Sequence, residues 1–194
     1  MRVTLRFSFW FFAVCALFLL LADRRILLRY FILPVAVHES GHLMAALLLG
    51  TGVREIYFTP VSIRIATAQR KTLSYGGELF VAAGGILANL AAALFLRLFL
   101  FASMRNMLMT ASHLAVAIFN FLPAGSLDGG QIVRIICLRA AGCEAAEKIS
   151  RAAGLAVLLP LTAAAIYLAA RGTVNFTAPV IFGYLALVMI IRER

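Results

Sequence analysis

The apolar positions of the 194-residue chain come in long blocks, and polar residues gather between the blocks. A helix needs about 20 predominantly apolar residues to cross a lipid bilayer, and each block is near that length. The six blocks are Phe7–Leu21, Ile26–Gly50, Leu79–Ala102, Met107–Leu122, Ala152–Ala170 and Val174–Ile191. This pattern predicts an all-α polytopic membrane protein with about six transmembrane helices.

Two stretches between the blocks do not have the pattern of membrane helices. Residues 51–78 contain two short runs, 53–58 and 62–67, and the second alternates polar and apolar positions as a β-strand does. Together the two runs predict a small β-element at the cytoplasmic face. Residues 123–151 begin with Pro-Ala-Gly-Ser, a helix break at or near membrane depth. Non-helical backbone is tolerated there only when it is buried in protein or lines a wet cavity, so the break marks a candidate site.

Composition supports the membrane interpretation. Hydrophobic residues make up 63% of the chain and charged residues 13%, with a mean hydropathy of +0.99. Average soluble proteins have roughly 45–50% apolar and about 25% charged residues, so a soluble domain is excluded, as are a disordered and a collagen-like chain. The three cysteines form no CxxC pair and no even framework, so we expect free thiols rather than a disulfide scaffold.

The net charge of +10 would suggest nucleic-acid binding in a soluble protein. Here the basic residues cluster at the ends of the apolar blocks, where anionic lipid headgroups and the positive-inside rule account for them, so no nucleic-acid partner is expected. Placing the N-terminus in the cytoplasm puts twelve of the 18 Lys and Arg residues on the cytoplasmic side. Both termini are therefore predicted to lie in the cytoplasm. The membrane that the protein spans is expected to be the bacterial cytoplasmic membrane.

The strongest chemical signal is residues 38–42, His-Glu-Ser-Gly-His, an HExxH motif inside the second apolar block. Histidines at i and i+4 share one helix face, so both imidazoles of His38 and His42 can bind one metal ion. Glu39 is rotated by about 100° from His38, which leaves its carboxylate to act as a general base. A shuffled chain of this composition would contain the motif on the order of one time in a thousand. Gly41, inside the motif, leaves room for close helix packing.

A catalytic zinc ion usually has three protein ligands and one open position, and HExxH supplies two of the three. The remaining candidates are Asp23, Glu55, Glu78, Asp128, Glu144, Glu147, Glu193 and His113. Asp128 stands out because it follows the helix break and opens the next helical segment. Its alternative role is that of an N-cap, which Asp performs well. His113 lies on an apolar face, where a packed or helix-bonding histidine is the commoner interpretation.

The motifs together resemble those of the site-2 intramembrane metalloproteases, the M50 peptidases. Residues 120–129, Asn-Phe-Leu-Pro-Ala-Gly-Ser-Leu-Asp-Gly, contain every fixed position of that family's N-x-x-P-x-x-x-x-D-G signature. Residues 84–89, Gly-Gly-Ile-Leu-Ala-Asn, match a third family feature, although Ile86 stands where the family usually has proline. The resemblance covers about residues 26–140, a three-helix catalytic core, within a single membrane peptidase domain that spans residues 1–194.

The resemblance implies one zinc ion per chain, held by His38, His42 and Asp128, with Glu39 as the catalytic base. It also implies that Asn120 helps to hold the substrate or its oxyanion; a helix-bonding amide is the alternative. The expected activity is hydrolysis of a peptide bond in or near a transmembrane segment of a membrane-associated protein. No PDZ or CBS domain is expected, and the layout is most similar to the sporulation-type branch, which acts on a sigma-factor precursor. An anti-sigma factor is a further substrate class, and a regulatory membrane partner is compatible with the resemblance.

Three alternatives share some of these residues. A zinc transporter could use the same ligands, but transporters usually show paired repeats or several intramembrane acids, and neither is visible in the sequence. A catalytically inactive scaffold has no need for Glu39. A different membrane zincin could take its third ligand from Glu144 or Glu147, which the sequence places on a charged and solvated helical face.

Overall fold

The computed structural model describes residues 4–7, 28–51, 53–58, 63–67, 73–100, 103–125, 127–173 and 176–191. The helices of these residues, in chain order, are α1 (Leu33–Leu48), α2 (Tyr75–Phe99), α3 (Met104–Phe121), α4 (Asp128–Ala141), α5 (Cys143–Ala170) and α6 (Thr177–Ile191). A single π-helical turn, Leu28–Ile32, leads into α1. The strands are β1 (Thr4–Phe7), β2 (Val53–Phe58) and β3 (Ile63–Thr67).

Three helical segments of the described residues are long and apolar enough to cross a membrane: Arg29–Leu48, Tyr75–Phe99 and Cys143–Ala170. The helix α6 is apolar but shorter. The prediction of a helical membrane protein is thus confirmed, whereas the count of six spans stays a prediction. Most of the first apolar block, Phe7–Leu21, lies outside the described residues, and its first residue is the last residue of β1.

The chain divides into two compact units, Met1–Ile118 and Phe119–Arg194. In the first unit, α1 packs along α2, and the strands form a sheet of order β1-β2-β3. Strand β1 pairs in parallel with β2, and β2 pairs antiparallel with β3, with an irregularity between Val53 and Glu55. In the second unit, α4 and α6 each pack against α5. The strands β2 and β3 fall within the segment for which the sequence predicts a β-element, while their position at the cytoplasmic face stays a prediction.

Small residues allow α1 and α2 to approach each other closely. A Cβ atom at Gly41 would lie 2.6 Å from the Cβ of Ala88, and one at Gly84 would lie 3.0 Å from the Cβ of Ala45. Contacts this short are not available to larger residues, so glycine at both positions sets the distance between the two helices. The prediction that Gly41 leaves room for close helix packing is confirmed.

Two helices end with the same glycine-threonine pair. At the end of α1, Gly50 has a φ of +69°, and the Thr51 amide donates to the carbonyl of Ala46. At the end of α5, Gly172 has a φ of +71°, and the Thr173 amide donates to the carbonyl of Leu168. This is the Schellman arrangement, in which carbonyls of the last helical turn accept hydrogen bonds from the residues after the helix. It favours glycine at the turn, because that residue must adopt a left-handed conformation with a positive φ. Both threonine hydroxyls donate to the same two carbonyl oxygens, which strengthens each helix end.

The predicted helix break is present between α3 and α4. The helix α3 ends at Phe121, and the chain turns through Pro123 before α4 begins at Asp128. Two buried residues of the break, Ala124 and Leu127, belong to the hydrophobic core of the second unit, together with Leu158 of α5. The core therefore anchors the break at Ala124 and Leu127, whereas Gly125 between them is exposed.

Candidate functional site

The two histidines of the HExxH motif lie side by side on α1, in the first unit. Their Nε2 atoms are 3.2 Å apart, and the rings meet edge to face at 84°. His38 is only 3% exposed. Two ligand nitrogens about 2.0–2.1 Å from a tetrahedral zinc ion are about 3.3 Å apart, so the observed spacing fits a shared metal ion.

The imidazole of His42 is oriented by the backbone of the neighbouring helix. Its Nδ1–H donates a hydrogen bond to the carbonyl oxygen of Val81 on α2, over 2.7 Å. Since a carbonyl can only accept, Nδ1 must carry the proton, and the lone pair is left on Nε2. Metal-binding histidines commonly use their second nitrogen in this way, which fixes both the tautomer and the ring orientation.

Gly85 of α2 provides the space that the two imidazoles occupy. A Cβ atom at this position would lie 2.7 Å from Nε2 of His38 and would also overlap the ring of His42. A larger residue would therefore displace the nitrogens that could bind a metal. The sequence motif includes Gly85, but only the packing of α2 against α1 reveals this contact.

Glu39 lies beside His38 on α1 and is half-buried. Because a helix turns by about 100° per residue, its side chain leaves α1 in a different direction from the imidazole of His38. A carboxylate next to a histidine pair, but not on the same face, suits a proton-transfer role more than a ligand role.

Asp128, the third predicted ligand, lies in the second unit as the first residue of α4. It is 8% exposed, and its carboxylate stands in the first helical turn, where the helix dipole favours a negative charge. The N-cap of α4 is Leu127, which makes no side-chain capping bond. Asp128 is thus the first residue of the helix rather than its N-cap.

The two glycines after Asp128 let α4 begin against the helix break. A Cβ atom at Gly129 would overlap the carbonyl group of Phe121 and lie 2.6 Å from the carbonyl oxygen of Leu122. One at Gly130 would overlap the carbonyl of Ala124. The backbone of the break thus packs directly on the first turn of α4, which fixes the position of Asp128 within the second unit. Asn120, the other predicted site residue of this unit, is half-buried in the last turn of α3.

The structure accounts for His113 by a hydrogen bond within the first unit. His113 Nδ1 lies 2.7 Å from Oδ1 of Asn89, and both side chains are buried. This pair joins α3 to α2 and matches the alternative of a helix-bonding histidine. The sequence shows both residues, but nothing in their spacing indicates that they bond to each other.

Three of the acidic alternatives to Asp128 lie in exposed positions. Glu144 pairs with Lys148 and is 85% exposed, and Glu147 pairs with Arg134 on the surface. Glu78 is exposed in the first turn of α2. Glu55 lies in β2, whereas Asp23 and Glu193 lie outside the described residues. The predicted solvated face for Glu144 and Glu147 is confirmed.

Comparisons with known proteins found a likeness among solved structures. No protein-family model matches the chain, and neither does any curated protein. Among solved structures, the site-2 protease from Methanocaldococcus jannaschii is similar, with a TM-score of 0.65 and 19% sequence identity. The likeness covers 100% of this chain and 92% of that chain. The chain is therefore a helical membrane protein whose fold is that of a site-2 protease. This agrees with the resemblance of its motifs, while its place in a branch without a PDZ domain stays a prediction.

Proposed function

We propose that the protein is an intramembrane zinc metalloprotease that hydrolyses a peptide bond in or near a transmembrane segment of a membrane-associated protein. The observation that carries the proposal is the buried His38–His42 pair, whose Nε2 atoms are spaced as two ligands of one metal ion. The shared fold with a site-2 protease supports the same reaction class.

The proposed metal centre consists of His38, His42 and Asp128, holding one zinc ion per chain. Two imidazoles and a carboxylate are a donor set that catalytic zinc sites use, and the set leaves one position for water or substrate. When bound, zinc would supply Lewis-acid activation of a water molecule and of the scissile carbonyl.

Glu39 is the proposed general base. Its carboxylate takes a proton from the attacking water and later gives it to the amine that leaves when the peptide bond breaks. Asn120 is the proposed donor to the carbonyl oxygen, which gains negative charge as the water attacks. Both side chains are half-buried, which strengthens these interactions relative to bulk water.

The substrate must present an extended segment, because the carbonyls of an intact helix are hydrogen-bonded and shielded. We propose that the sheet binds this segment by strand addition, since β3 is at the edge of the described sheet. Proline at alternate positions of Ile63–Thr67 would remove backbone donors and is expected to slow cleavage. Normal cleavage by such variants would contradict this step. Sigma-factor precursors and anti-sigma factors are the proposed substrate classes.

The activity is tested with purified full-length protein in lipid nanodiscs and a panel of labelled single-span substrates with helix-destabilising residues. The wild type is expected to cleave at least one of them, and Glu39→Gln to be slower by about 10²–10⁴-fold. Glu78→Gln, which changes an exposed carboxylate of α2, is the matched control and is expected to cleave normally. Undiminished cleavage by Glu39→Gln would contradict the role of the base. Zinc uptake into proteoliposomes without any cleavage would favour a transporter instead.

A further inference from the structure

A charged side chain lies among exposed apolar ones near the end of α2. Arg97 is exposed, and its sequence neighbours Phe95, Leu98 and Phe99 are exposed as well, the last of them by 72%. In a membrane protein such apolar side chains face lipid, and an arginine among them directs its guanidinium to the polar headgroups. Within the part of the chain that the structure describes, Arg97 forms no ion pair with a carboxylate.

Arg97 also lines a groove between α2 and the part of α3 that lies in the first unit. The groove has a volume of about 430 Å³, which is within the range of about 300–1,000 Å³ typical of ligand sites. Its polar lining residues are Arg97, Asn106 and Thr110, and its apolar ones are Leu96, Leu100, Met107, Ala111 and Leu114. The Thr110 hydroxyl donates to the carbonyl of Asn106. Among the lining residues that the structure describes, Arg97 carries the positive charge.

We infer that this groove binds one anionic phospholipid, with its phosphate on Arg97 and one acyl chain along the apolar lining. Guanidinium groups bind phosphate through two parallel hydrogen bonds, and the groove offers an apolar surface next to that charge. Basic pockets between membrane helices bind lipid headgroups in this manner. The inference does not depend on protease activity, because none of these residues belongs to the proposed zinc centre.

The test is native mass spectrometry of the full-length protein in detergent, titrated with phosphatidylglycerol or with phosphatidylcholine. The wild type is expected to bind phosphatidylglycerol more tightly, and Arg97→Gln to lose roughly fivefold in that affinity. Arg105→Gln is the matched control, since Arg105 is an exposed cation of α3 outside the groove lining and its loss is expected to stay below about twofold. Ala111→Trp fills the apolar part without changing charge and is expected to weaken binding too.

Several results would overturn the inference. Equal losses in Arg97→Gln and Arg105→Gln would indicate diffuse surface charge rather than a site. Equal wild-type affinity for the two lipids, or no lipid binding at all, would exclude an anionic lipid as the occupant. Displacement of phosphatidylglycerol by excess inorganic phosphate would show a phosphate site without an acyl-chain contribution. Should Arg97→Gln fail to fold, as judged by circular dichroism, unchanged binding by Ala111→Trp would still refute the groove.

Discussion

At the residue scale, the geometry of the two HExxH imidazoles depends on neighbours that the motif does not contain. The carbonyl of Val81 fixes the tautomer of His42, and Gly85 leaves the space in which both rings meet. Both residues lie on α2, so the helix next to the motif orients its two imidazoles. Val81 carries no sequence signal for this role, since every residue has a backbone carbonyl.

Replacing Gly85 with alanine should disturb the site while leaving the helix intact. The added Cβ would lie 2.7 Å from Nε2 of His38, so the imidazoles must shift away from α2 to make room for it. We expect roughly a 10–100-fold loss of zinc affinity, the range seen when groups that support metal ligands are changed. The measurement is a competitive zinc titration with a chromophoric chelator. Gly76→Ala is the control in the same helix, because its Cβ meets no atom within 4 Å. Equal zinc affinity in the two variants would contradict the account of Gly85.

The Asn89–His113 hydrogen bond should stabilise the fold rather than bind metal. Asn89 is 0% exposed, so His113→Leu leaves its amide oxygen buried without this donor. We expect Asn89→Leu and His113→Leu each to lower the free energy of unfolding. The loss in the double variant should be smaller than the sum of the two single losses by about 0.6–1.7 kcal/mol. Unfolding in mixed micelles measures this coupling. Additive losses would show that the bond contributes nothing, and zinc loss confined to His113→Leu would make His113 a ligand.

At the element scale, the start of α4 depends on close contact with the helix break. Gly129→Ala places a Cβ against the carbonyl of Phe121. Gly129 is buried and the contact is with backbone atoms, so the backbone itself must shift to relieve the overlap. Overpacking of this kind costs about 1–3 kcal/mol, and we expect a lower unfolding temperature and a lower zinc content. Gly125→Ala is the control within the same break, because its Cβ meets nothing within 4 Å. A Gly129→Ala protein as stable as Gly125→Ala would contradict this packing.

The positions of the apolar blocks predict most of the helices, and the elements or helix ends that were missed depend on other signals. The block Leu79–Ala102 corresponds to α2, but α2 begins at Tyr75, since Ser74 caps the helix by accepting from the Gly77 amide. The helix α5 begins at Cys143, nine residues before the apolar block Ala152–Ala170, because its first turns are polar and solvated. Strand β1 was not predicted, because its alternation of polar and apolar residues spans only four positions and runs into the apolar block that begins at Phe7.

At the scale of the whole molecule, the sequence predicts the fold class and the residues of the candidate site. Motifs that bring rare ionisable residues into apolar segments are informative, because such residues are costly in a membrane unless they serve a function. Pairings such as Asn89 with His113 could not be predicted, since they depend on how α2 and α3 pack. The substrate also lies beyond the sequence, because no motif of the chain encodes its recognition.

The most direct test of the central claim is the zinc content of the purified full-length protein, measured by mass spectrometry of the metal after purification in zinc-replete buffer. We expect about one zinc ion per chain in the wild type and in Glu39→Gln, because the base is not a ligand, and a clear loss in Asp128→Ala. Glu78→Gln controls for the removal of a carboxylate elsewhere. Full zinc retention in Asp128→Ala would refute the third ligand, and a zinc-free wild type would contradict the metalloprotease itself.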